Sequence, residues 1–239
     1  KNIREAIISM GGEVRFHTKV TGIRTKRSID FSDEPALAML HLEDTRTNIG
    51  EDLLTDVAVL AIGHSARDTF GLLNLSDIKM EPKPFAVGVR VEHSQDMIDE
   101  SQYGKNAPES LPAAAYKLTA KTKEGRGVYT FCMCPGGYVV NASSEENRLA
   151  VNGMSYSGRN GKNANSAVIV TVSPEDFPEK GILGGLAFQR QLEEAAFAEG
   201  QGKIPVQLFG DFKKNVPSSS AGAIAPQMKG AYSWGNVRS

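Results

Sequence analysis

Residues 55–70, T-D-V-A-V-L-A-I-G-H-S-A-R-D-T-F, restrict the fold more than any other stretch of this chain. Six consecutive apolar residues, 57–62, show no polar–apolar alternation. Such a run suits a strand buried on both faces, as in parallel or mixed sheets covered by helices, and predicts an α/β component. Gly63 ends the run, and Ser65 followed three residues later by Asp68 has the form of a capping box opening a helix. Strand, glycine and capped helix would set backbone N–H groups at the carboxyl edge of a sheet, where open α/β sheets bind ligands. A core strand that ends in glycine and binds nothing fits the same residues equally well.

The chain before this stretch reads as a helix and a meander. Ile3, Ile7 and Met10 recur at helical spacing, Asn2 can cap, and Gly11-Gly12 supplies a left-handed stop. Val14, Phe16, Thr18 and Val20 then alternate with Glu13, Arg15, His17 and Lys19, a half-buried strand pattern. Residues 21–54 continue as an antiparallel meander, with turns at Ser32-Asp33-Glu34-Pro35 and Asn48-Ile49-Gly50 and a strand from Ala36 to Glu43.

Beyond Pro82 and Pro84 the character changes, which places a boundary there: 1–81, then 82–216, then 217–239. Short strands are expected over 85–92, 116–119, 127–133, 138–142, 150–154, 167–172 and 205–209, with a short helix over 94–101. Phe188, Leu192, Ala195 and Ala196 share one face of a long amphipathic helix. Many short strands with one long helix predict a mostly antiparallel, α+β second domain. Residues 217–222, P-S-S-S-A-G, read as a flexible return segment, and 223–239 as loosely ordered.

Composition removes several classes of function. Lys plus Arg number 27 against 28 Asp plus Glu, so no basic excess offers a footprint for nucleic acid or an anionic membrane. No apolar run reaches the roughly 20 residues that span a bilayer, and two cysteines make no disulfide framework, so a cytoplasmic setting is expected. The chain opens at Lys1 on a helix and stops at Ser239 after a polar tail, which reads as a segment of a longer protein.

Few residues point to chemistry. The four histidines show no pair at helical spacing and no cysteine partner, which argues against a metal site; His64 stands out only for its place beside Gly63. Arg67, in a first helical turn, opposes the helix dipole and is expected to pair with an anion or carboxylate such as Asp68. Cys132 and Cys134 would share one strand face, but C-x-C lacks the spacing of redox and zinc motifs, and two small buried hydrophobes is the stronger reading. The following Pro135-Gly136-Gly137 would let backbone approach a flat ligand. The polar, Gly-rich loop 152–163 carries Tyr156 and Arg159, which could grip a polar or anionic substrate or simply form a solvated hairpin connection. No G-x-G-x-x-G joins a strand to a helix, and no Walker-type G-K-[ST] occurs. No catalytic residue stands out.

Residues 55–63 resemble the late acidic–apolar–glycine motif of the two-dinucleotide-binding-domain flavoproteins. The strings A-I-G-H-S-A-R-D-T-F, M-E-P-K-P-F-A-V-G-V-R-V-E-H, G-V-Y-T-F-C-M-C-P-G-G-Y-V-V and N-G-M-S-Y-S-G-R-N-G-K-N-A-N-S-A are similar to one group among them. These are the uncharacterised bacterial FAD-dependent oxidoreductases, often called NAD- or FAD-utilising dehydrogenases. The resemblance implies a partial Rossmann-like FAD-domain sheet with a meander over 1–81 and an inserted substrate or lid domain over 82–216. It implies that Val20 meets the adenine of FAD, although plain sheet packing suits Val20 as well. It puts Gly63, with His64 and Ser65 at its corner, beside the cofactor, and the loop Pro135, Gly136 and Gly137 near the isoalloxazine ring. FAD, with NAD(P)H as a second redox partner, is expected in the full-length protein. The 239 residues alone, lacking the Gly-rich phosphate turn, are expected to hold little FAD and to be inactive. Flavin-mediated hydride transfer on a small molecule is the expected reaction; the alternative is a non-catalytic binding domain that retains the fold.

Overall fold

Hydrophobic alternation along residues 18–54 produces a three-stranded antiparallel meander in a computed structural model of the chain, which describes residues 2–26, 35–76, 78–108 and 110–237. The strands are β1 (Thr18–Lys26), β2 (Ala36–Asp44) and β3 (Gly50–Leu54), in spatial order β1-β2-β3. Val20 faces Leu42, Ile23 faces Leu40, and Leu40 faces Leu53 across the ladders. Such apolar cross-strand pairs hold a sheet together, and Leu42 is buried among them. The hairpin between β2 and β3 closes with Asn48 at φ +56°, its N–H donating to the Asp44 carbonyl at 2.8 Å. The expected turn at 32–35 lies, for Ser32, Asp33 and Glu34, outside the described residues.

This meander belongs to the first of two compact units, Lys1–Glu81. Helix α1 (Asn2–Ser9) precedes it and ends as its glycines require: Gly11 adopts φ +84° and the Gly12 N–H reaches back to the Ile7 carbonyl at 2.9 Å. The alternation of 14–20 becomes strand only from Thr18, because His17 sits at φ +57° and interrupts the extended backbone.

Residues 57–62 depart from expectation. They lie in no strand, and Val57, Val59 and Leu60 are 77%, 86% and 55% exposed. A strand exists only where a neighbour supplies donors and acceptors, and the described residues bring no partner to this run. Among them the first unit contains an antiparallel meander and two helices, not a parallel Rossmann-like sheet.

The second unit, Pro82–Ser239, is built on a four-stranded antiparallel sheet. Its strands are β4 (Phe85–Ser94), β5 (Thr119–Lys121), β6 (Gly127–Cys134) and β9 (Asn163–Val172), in the order β4-β9-β6-β5. Helix α3 (Gln95–Tyr103) follows β4 directly. A smaller sheet pairs β7 (Tyr138–Asn141) antiparallel with β8 (Val151–Met154), and β11 (Met228–Lys229) joins β7 in parallel. A third places β10 (Ile204–Val206) parallel to β12 (Tyr232–Trp234), beside helices α4 (Gly184–Gly200) and α5 (Phe209–Lys214). Residues 116–118, read as strand, stay outside β5, and Phe209 begins α5 instead of ending a strand. The apolar centre is Phe177, with Phe85 stacked at 5.2 Å and Phe188 tilted at 6.1 Å. Buried Val139, Leu149, Ala164 and Ile204 add to the core.

The tail differs from expectation as well. Residues 217–237, read as a loose return, carry β11 and β12 and are tied in by polar groups. The Gln227 side chain donates to the Gly137 carbonyl at 2.8 Å and accepts from the Lys162 N–H at 3.0 Å.

Candidate functional site

In the first unit the corner after residues 57–62 is open. Gly63 adopts φ +67°, and an added Cβ would meet nothing within 4 Å. Gly63, His64 and Ser65 are exposed, while Val20 is half-buried on β1, next to an irregularity in the ladder. Helix α2 (Arg67–Leu75) begins two residues after Ser65, with Ala66 at the cap position and no side-chain cap. The expected capping box is therefore absent: Ser65 contributes its carbonyl, which accepts from the Arg67 N–H at 2.9 Å. Asp68 pairs with Lys19 at 2.6 Å, which depresses its carboxyl, while Arg67 is buried. The corner thus offers a left-handed glycine, exposed backbone, an imidazole and a hydroxyl. That donor set fits the flank of a flat cofactor; a cationic clamp for its phosphates does not occur among residues 63–66.

In the second unit the Pro135-Gly136-Gly137 loop is buried. Its glycines approach protein backbone closely. A Cβ on Gly136, at φ +52°, would fall 2.0 Å from the Arg159 carbonyl oxygen, and one on Gly137 would fall 2.7 Å from that of Met154. Gln95 accepts from the Gly136 N–H at 2.8 Å, and Ser155 donates to the Pro135 carbonyl at 2.7 Å. The 155–162 connection thus folds over 135–137. Tyr156, half exposed, meets Tyr138 edge-to-face, with Lys229 Nζ 4.5 Å over the Tyr138 ring. Arg159, at φ +46°, contributes its carbonyl to this packing.

One face of the large sheet carries a polar group that sequence reasoning passed over. Arg90 on β4 is half-buried, and its Nη1 donates to Asn165 Oδ1 at 2.8 Å and to the Cys132 carbonyl at 3.3 Å. Its Nη2 reaches Asn152 Oδ1 at 3.2 Å. Asn165 is 0% exposed. Two residues along β4, Glu92 accepts from Asn163 at 2.7 Å and from the Gln227 N–H, and burial raises its carboxyl above the usual range. The available signal was Arg90 and Glu92 at alternate positions of a valine-rich strand; across the ladder Glu92 faces Asn165 and Ser94 faces Asn163 on β9. His93 hydrogen-bonds the Tyr116 hydroxyl at 2.7 Å, and burial lowers the imidazole and raises the phenol.

Cys132 and Cys134 form no disulfide. A register shift between Phe131 and Cys134 interrupts β6, so the same-face alternation expected of the pair is lost: Cys132 is exposed at φ +45°, Cys134 half-buried. Burial pushes the Cys134 thiol up, with Arg90 opposing it. Among the described residues no group of three or more His, Cys, Asp or Glu is placed to hold a metal, and no helix is long and apolar enough to cross a membrane.

Fold and site together define a mixed α/β protein whose larger unit is built on a four-stranded antiparallel sheet that carries the Arg90–Asn165 polar group. Residues 84–239 match the family described as FAD-dependent protein, C-terminal domain-like, and the chain belongs to that family. It is 46% identical over 242 residues to an uncharacterized protein of Clostridium beijerinckii. That alignment takes in 100% of this chain and 43% of the relative, so the chain spans less than half the relative's length.

Proposed function

We propose that the chain is the central part of an FAD-dependent oxidoreductase, with the first unit contributing to the cofactor site and the second handling substrate. The observation that carries this reading is the match of residues 84–239 to an FAD-dependent family. The open Gly63 corner supports it from the other unit. When bound, FAD would supply hydride transfer between an organic substrate and a nicotinamide. Gly63 would give the cofactor a surface free of side chain, His64 and Ser65 would offer hydrogen bonds, and Val20 would give apolar backing from β1. Residues 57–62 would be a strand of the cofactor domain, paired by residues of a longer polypeptide.

The test is the full-length polypeptide. Purified, it should be yellow, with stoichiometric FAD released on denaturation. A colourless full-length protein that shows no thermal shift with FAD would overturn the proposal in favour of a binding domain that keeps the fold without the cofactor.

A further inference from the structure

We propose that Arg90, beside Cys132, Asn152 and Gly153, anchors the carboxylate of a small organic acid. That the acid is a substrate rests on the oxidoreductase reading; the anion site itself does not.

The first observation is charge. Among the described residues no carboxylate pairs with Arg90; it donates to the neutral oxygens of Asn165, Asn152 and Cys132 and lies against the Cys134 thiol, which burial holds protonated. Drawing a guanidinium partly out of water without a counter-ion costs several kcal/mol in general, and the nearest acid along the strand, Glu92, is turned to Asn163 and Gln227. The second is unmet donor capacity. Arg90 Nε and Asn165 Nδ2 are both buried without a hydrogen-bond partner, and they flank the one short bond in the group. Buried donors left in this state are rare in folded proteins.

The third is access. The two longer contacts of the guanidinium, 3.2 and 3.3 Å, run to Asn152 and Cys132, both exposed. An incoming anion can displace these two while the 2.8 Å bond to buried Asn165 keeps the planar fork in place. The fourth is the glycine beside it. A Cβ on Gly153 would lie 2.5 Å from Arg90 Nη1, 2.2 Å from Asn165 Oδ1 and 2.8 Å from Cys134 Sγ. Only glycine leaves the fork unobstructed there. A planar fork fixed by buried Asn165, with its two longer contacts going to exposed residues, suits a planar carboxylate taken bidentately.

Calorimetric titration of the chain with benzoate, succinate, inorganic phosphate and chloride tests this, with each variant's fold checked by circular dichroism. Benzoate and succinate should bind with Kd on the order of 1 mM, and phosphate and chloride at least about tenfold more weakly. R90K should weaken carboxylate binding about tenfold or more, because an ammonium lacks the fork. N152D, an exposed isosteric change that leaves Arg90 intact, should abolish binding by placing a tethered carboxylate on the guanidinium. No heat with either carboxylate at ~10 mM, equal binding of chloride, or unchanged binding in N152D would each overturn the proposal. A colourless full-length protein that still binds benzoate would remove the oxidoreductase reading alone, and a yellow one that binds no carboxylate would remove the anion site alone.

Discussion

Gln227 gives its backbone N–H to Glu92 Oε1 at 2.5 Å, joining residues 135 positions apart. Through this bond a half-buried carboxylate fastens the C-terminal segment to the central sheet, and its burial sets how stability depends on pH. A carboxyl raised in the folded state binds its proton more readily folded than unfolded. Its contribution is therefore complete below the ordinary carboxylate range and declines as pH rises through the raised value. Glu92→Gln keeps an acceptor for Gln227 and Asn163 and removes the charge. Urea unfolding should show a higher midpoint at neutral pH and a flatter acid-to-neutral dependence than the parent; a lower midpoint would refute the assignment.

Two left-handed glycines should respond very unequally to the same change. Gly136→Ala drives a Cβ into the Arg159 carbonyl and should cost about 3 kcal/mol or more, seen as lost soluble protein or a large drop in Tm. Gly63→Ala meets no atom and should cost only about 1 kcal/mol, the backbone penalty alone. In the full-length protein the proposed cofactor contact makes Gly63→Ala lower the ratio of flavin to protein absorbance. Equal flavin content in parent and variant would dissociate Gly63 from the cofactor.

Asn165→Ala should destabilise by about 2 kcal/mol in chemical denaturation, since it strands Arg90 Nη1 without its closest acceptor. Asn152→Ala removes a longer contact from an exposed position and should change stability by less than about 0.5 kcal/mol. Equal effects of the two would contradict the description of Arg90 as held from its buried side.

His93 should titrate below the ordinary histidine value of about 6.5 in an NMR pH series. A depressed folded value means that the folded state binds fewer protons, so the neutral imidazole's contribution is present above the ordinary range and lost on acidification through the lowered value. Tyr116→Phe removes the 2.7 Å bond and should cost about 1 kcal/mol at neutral pH.

Local pattern made much of this fold readable. The meander, helix α4 and strands β4, β6 and β9 follow from alternation and periodicity that neighbouring residues settle among themselves. The failures share one cause, dependence on partners distant in sequence. Residues 57–62 have the composition of a core strand, but composition supplies no ladder. The Ser65–Asp68 pattern lost to a Lys19–Asp68 pair contributed by another strand. The glycines of 135–137 read as room for a flat ligand, whereas the atoms that approach them in the structure are the carbonyl oxygens of Arg159 and Met154. Arg90 escaped notice because a single arginine in a valine-rich strand reads as an ordinary outward-facing residue until the opposing asparagines are placed.

The uncovered V-A-V-L-A-I hexapeptide has a consequence for handling the chain. It combines β-forming and apolar residues with no charge, proline or glycine, and it joins no strand ladder among the described residues. Segments of this kind stack on their own copies. Copies of the chain at high concentration have in this hexapeptide a point of mutual adhesion, one that a single lysine in place of Val59 would blunt.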